Sequence, residues 1–254
     1  MLVPKIKFKK LPLEENINII LNAYFTSDNK ILDIHNLLSQ YFPEFKNIDI
    51  NLSKKEKSTI ISNIITNYYT DNIENIDRAI EKYTKQWEFY NDIYFTKLVN
   101  YLNITKQTDI KEINCYIGML PFFPRDLNSK SFIINPHLNE LQLTQTCAHE
   151  TLHFLWFHKW KELYPQTSKE EYESPHLPWI YSEMVTDPIL NSSDFQKIFK
   201  FHEKAYPFLY TMIDGKKTLM EKITEIYNSN FSIEDKIKKG YIYLKSNISN
   251  KKEK

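Results

Sequence analysis

Glycine is nearly missing from this chain: 3 residues in 254. Loops that cradle phosphate need close backbone approach, which glycine allows, so a nucleotide-binding loop is not expected. Cysteine is almost as scarce. The two present, Cys115 and Cys147, do not make a disulfide framework. There is no charge of one sign in excess. Lys plus Arg number 33 against 32 Asp plus Glu, a net charge of +1, which gives no electrostatic bias toward nucleic acid or an anionic membrane. No run reaches the roughly 18 apolar residues that span a bilayer. The start Met1-Leu2-Val3-Pro4-Lys5-Ile6-Lys7-Phe8-Lys9-Lys10 alternates apolar and basic residues and reads as a strand; it lacks the continuous apolar stretch and small-residue cleavage site of a signal peptide, so a cytoplasmic location is expected.

What is abundant is core-forming material. Hydrophobic residues are 42% and aromatics 15% of the chain. Apolar residues recur at helical spacing over 14–25, 30–42 and 72–102. Ser53-Lys54-Lys55-Glu56 is a capping-box pattern that opens a further helix through Ile60, Ile61, Ile64 and Ile65. Residues 1–105 are therefore expected to form a mainly helical N-terminal unit. The composition then shifts: 113–120 and 131–135 suit strands, with a turn over 121–128 between them. Helices are expected again over 192–206, 216–227 and 232–248, and disorder over Lys251–Lys254.

One stretch carries chemistry. Thr146-Cys147-Ala148-His149-Glu150-Thr151-Leu152-His153-Phe154-Leu155 holds His-Glu-x-x-His in an apolar, helix-forming run. On a helix, positions four apart share a face, so His149 and His153 can offer two imidazole nitrogens to one metal ion. Glu150 comes next in line as the base for a water molecule. From Leu141 to Phe157 it is the only formally charged residue, and a helix of that make-up is buried. A buried carboxylate beside two histidines calls for compensation, which a metal supplies. Cys147 is two residues from His149 and points away from the ligand face, as a small buried hydrophobe.

The third ligand decides the class. In one group of zinc peptidases the motif continues as x-x-Gly-x-x-His; here those positions are Trp156 and Lys159, so that extension is absent. Downstream, Glu183 and Asp187 lie four apart within Pro178-Trp179-Ile180-Tyr181-Ser182-Glu183-Met184-Val185-Thr186-Asp187. With this pair the chain resembles the gluzincins, the thermolysin-like zinc metallopeptidases, over roughly residues 130–190 by its motifs. The resemblance implies one zinc ion per chain, held by His149, His153 and Glu183. It implies Glu150 as general base and Asp187 as the acceptor that orients a ligand histidine. A downstream His or Tyr often stabilises the oxyanion in such enzymes, and His202 and Tyr210 are the chosen candidates, with Tyr181 and Tyr206 behind them. His176 is an alternative third ligand; His35 and His137 have no supporting context. Pro188 follows Asp187 directly, so a helix end or kink is expected there.

The expected fold is α+β, mostly α. A small sheet would pack on the His-Glu-x-x-His helix, within a zincin-like core over 106–254 that ends in a helical subdomain. The expected activity is hydrolysis of peptide bonds by zinc-activated water. The alternatives are a metal-dependent hydrolase of a non-peptide amide or ester, and an inactive binding protein on the same scaffold. The expected partner is a peptide or protein substrate, with neither nucleic acid nor membrane; oligomeric state is left open.

Overall fold

A computed structural model describes residues 3–26, 33–105, 110–210 and 217–249. The described residues are mostly helical, with one small mixed sheet of four strands. It divides into two compact units, one made of Ile6–Glu88 and Glu112–Leu138, the other of Met1–Lys5, Phe89–Lys111 and Asn139–Lys254. This differs from a partition at residue 105. The reason is non-local pairing: strand β2 (Glu112–Ile117) sits beside the N-terminal strand β1 (Lys5–Lys10), which draws 112–138 into the same unit as the first helices.

In that first unit the strand order is β1-β2-β4-β3. β4 (Ser131–Ile134) runs parallel to β2 with Cys115 opposite Phe132 and Ile117 opposite Ile134. The two-residue β3 (Arg125–Asp126) lies within the expected turn and pairs antiparallel with β4. Helix α1 (Leu13–Thr26) buries Asn16, whose amide donates to Met119 O at 3.3 Å and accepts from Met119 N at 2.7 Å. That satisfies a buried polar side chain. Helix α2 (Ile34–Tyr41) starts on the Asp33 cap; Ile31, expected within it, lies outside the described residues. The Ser53–Glu56 capping box forms as the sequence suggests and opens α3 (Lys54–Asp71). Helix α4 (Ile73–Tyr101) is a single unbroken element of 29 residues.

The second unit centres on α5 (Glu140–Leu163), the helix that carries His149 to His153. Asn139 and Gln142 cap its start reciprocally, so two orphan N–H groups are satisfied. Its composition dictates burial on almost every side: Cys147, Ala148, Leu152, Leu155 and Trp156 are all fully enclosed. Tyr94, from the later part of α4, donates to Ala148 O at 2.6 Å. Lys159 is buried near the end of α5 and reaches Glu234 Oε1 at 2.6 Å, Glu162 Oε2 at 3.1 Å and Asn103 O at 3.1 Å. A lysine in so enclosed a place is tolerable because its three donors are met.

Helix α6 (Leu177–Leu190) packs against α5, and α7 (Leu219–Tyr227) and α8 (Ile233–Ser249) pack against α6. Pro188 does not end α6 at Asp187: the helix runs on to Leu190, and Asn191 N closes the last turn on Asp187 O at 3.0 Å. A proline in the last turn removes one helical N–H only, so the cost is confined. The expected helix over 192–206 does not form. Turns and an extended stretch stand in its place. Gln196 Nε2 donates to Leu190 O at 3.0 Å and to Phe201 O at 2.9 Å, so side-chain bonds take over from a helical ladder. Lys216 and Lys251–Lys254 lie outside the described residues.

The crossing of α8 and α6 depends on a glycine. A Cβ at Gly240 would lie 2.1 Å from Tyr181 Oη. That hydroxyl is buried, within hydrogen-bonding distance of Lys236 O (3.1 Å) and Tyr227 Oη (3.3 Å), and so has little room to retreat. Gly240→Ala is expected to destabilise the fold by about 1–3 kcal/mol through overpacking. This outweighs the roughly 1 kcal/mol by which alanine favours a helix. Urea unfolding checks it, and an unchanged or raised midpoint would refute this account of the crossing.

Candidate metal centre

The residues that the sequence singles out for metal binding come together. Successive turns of α5 stack His149 above His153, with their Nε2 atoms 3.1 Å apart. From α6, Glu183 places Oε2 3.4 Å from His149 Nε2 and Oε1 3.5 Å from His153 Nε2. Among the described residues these three form the one group arranged to hold a metal ion. His153 is fully buried, the Glu183 side chain is 4% exposed, and His149 keeps 20% of its side chain accessible. The site is enclosed with one imidazole reaching toward solvent.

Two imidazole nitrogens this close cannot face each other as bare lone pairs; a proton or a cation must lie between them. Ligands bound to zinc at about 2.0–2.2 Å in a tetrahedral array sit roughly 3.3–3.6 Å from one another; the two spacings to Glu183 fall in that range and the two imidazole nitrogens stand slightly closer. Charge points the same way. Glu150, Glu183 and Glu203 are all buried around the two histidines, and a dication offsets the cost of enclosing that much negative charge.

Glu203 is the residue that sequence reasoning missed. His149 Nδ1 lies 3.1 Å from Glu203 Oε1, and Glu203 Oε2 accepts from Gln145 Nε2 at 3.1 Å. His202, the neighbouring choice, is exposed. The stretch from Phe201 is extended, so side chains alternate: Phe201, Glu203 and Ala205 turn inward while His202 and Lys204 turn out. An acidic residue in phase with two apolar ones was the available signal, hidden by reading the stretch as helix.

Asp187 does not serve as the direct partner of a ligand histidine expected of it. Its Oδ1 accepts from Asn191 Nδ2 at 2.7 Å and its Oδ2 from the Tyr210 hydroxyl. Tyr210 Oη accepts in turn from Ala205 N at 3.0 Å. Burial and the Asp187 hydrogen bond both push the Tyr210 phenol above its ordinary pKa, so it is a held hydroxyl. Tyr181 belongs to the α6–α8 packing described above, Tyr206 is partly exposed against Trp179, and His176 is an exposed residue at the start of α6. Glu150 is buried beside the cluster, and its charge acts on His149. No protein-family model, curated protein or solved structure matches this chain, so the gluzincin resemblance rests on its own residues.

Burial alone would depress the His149 pKa, but the hydrogen bonds to Glu183 and Glu203 and the charges of Glu203 and Glu150 hold it well above the usual 6.5. A raised folded-state value means that, without metal, this group adds stability that is complete below about pH 6.5 and fades as pH rises through the folded value. Thermal unfolding in chelator, from about pH 5 to about pH 9, is expected to show the midpoint of wild type falling more with rising pH than that of His149→Gln. Parallel curves for the two proteins would contradict this.

Proposed function

We propose that this chain is a zinc-dependent hydrolase that cleaves peptide bonds, with His149, His153 and Glu183 as the metal ligands and Glu150 as the general base. The observation that carries the reading is the convergence of two imidazole nitrogens and one carboxylate from two helices at spacings of 3.1, 3.4 and 3.5 Å. Three protein ligands is the number that catalytic zinc sites use, whereas structural sites use four. Zinc, when bound, supplies Lewis acidity that acidifies water and polarises a carbonyl.

The rest is the work of this chain's own groups. The Glu150 carboxylate accepts the proton that the attacking water gives up, and it can return that proton to the leaving amine. Its burial keeps it from being just another solvated carboxylate. The apolar residues that surround α5 exclude bulk water, which strengthens every charge interaction at the reacting atoms. The peptide bond is the favoured substrate because the paired motifs, His149 to His153 and Glu183 to Asp187, resemble those of the gluzincins.

Wild type prepared with zinc is expected to carry one ion per chain and to cut members of a mixed peptide library. Glu150→Gln should retain the ion and lose about 10²–10⁴-fold in rate, the usual weight of a general base. Glu183→Ala should lose the ion. Zinc analysis and library cleavage read all three, and a wild type that stays free of zinc would sink the proposal.

A further inference from the structure

The route from Asp187 to the metal site runs through two residues that no motif contains. Asn191 caps the C-terminus of α6, two turns beyond Glu183. Its side chain grips the backbone of Glu203 from both sides: Nδ2 donates to Glu203 O at 2.8 Å, and Oδ1 accepts from Glu203 N at 2.8 Å. The same Nδ2 donates to Asp187 Oδ1. A paired grip of this kind fixes a strand-like residue as a ladder partner would. It therefore sets where the Glu203 side chain points.

Glu203 points at His149 Nδ1, the ring nitrogen opposite the one that faces His153 and Glu183. An ionised carboxylate can only accept, so this contact puts the imidazole proton on Nδ1 and leaves the Nε2 lone pair for the metal. Gln145, one turn earlier on α5, occupies the other Glu203 oxygen and stops the carboxylate from swinging away. The carboxylate is nearly inaccessible to water, at 4% exposure, which strengthens its hold on the ring.

We infer that Glu203 is the positioning residue of the metal site, and that Asn191, which touches no ligand, governs metal retention through it. This rests on the zinc reading proposed above. It replaces the direct Asp187–histidine contact with a chain of contacts from Asp187 through Asn191 and Glu203 to His149.

The test is a double-mutant cycle on zinc affinity, measured by competition with a chromophoric chelator in full-length protein. Glu203→Ala is expected to weaken zinc binding by about 10–100-fold, the usual effect of removing an outer-shell partner. Asn191→Ala should weaken it in the same direction, and this effect should vanish in the Glu203→Ala background, because Asn191 acts only through Glu203. The isosteric Glu203→Gln covers the case in which the alanine variant fails to fold. In zinc-loaded wild type, a slowly exchanging imidazole Nδ1–H resonance of His149 should appear and should be lost in Glu203→Ala. Folded variants with wild-type affinity, or an Asn191→Ala effect that simply adds, overturn this inference and leave the zinc reading standing. A wild type that binds no zinc overturns both.

Discussion

Three carboxylates are enclosed around two imidazoles, and the unit built on α5 and α6 has to accommodate them. Glu150, Glu183 and Glu203 are each almost wholly buried. Burying ionised groups is among the costliest things a fold can do, so their neighbourhood must be built to meet them. It is met in layers. The two histidines stand between the carboxylates. Gln145 holds the outer oxygen of Glu203. A dication in the proposed zinc site would supply the remaining positive charge. The apolar make-up of α5 follows from the same need, since water admitted to the site would dilute every one of these interactions.

The site is also a problem of rigidity. His149 and His153 ride on one helix and Glu183 on another, so their spacing is only as fixed as the packing of α5 against α6. Wide aromatic side chains hold that packing: Trp156 lies edge-on to Tyr181 at 5.3 Å and stacks on Trp160 at 5.1 Å. Gly240 lets α8 close over Tyr181. Lys159 pins the far end of α5 to Glu234 on α8. At the other end the stretch from Phe201 to Ala205 is tied to the α6 cap by Asn191. The proposed ligands thus come from two packed helices, while the residue proposed to orient one of them comes from a stretch fastened to the cap of α6.

Much of this was legible in the sequence, and the parts that were not share a cause. Helical spacing found α1, α3, α4 and α8, and the Ser53–Glu56 box marked the start of α3. Four-residue spacing brought out His149 with His153 and Glu183 with Asp187, because it is a local property of a helix; that Glu183 joins the two histidines came from the gluzincin resemblance. What failed was non-local. Phe195 and Phe199 have helical spacing and are buried, yet Asn191 and Gln196 spend their side chains on the backbone and the segment bends. That bend exchanged Glu203 for His202. The compact units differ from a division at residue 105 because β2 finds a partner in β1, about a hundred residues earlier, and no local pattern records that pairing. Pro188 misled in the opposite sense: the rule that proline disfavours helix is sound, but in the last turn it costs little.

X-ray absorption at the zinc edge of the loaded protein reads the proposed ligands themselves. A first shell of nitrogen and oxygen only, at about 2.0–2.2 Å, with the outer scattering of two imidazole rings, is expected. A sulfur scatterer at about 2.3 Å, which would bring in Cys147, or a shell without imidazole, would contradict it.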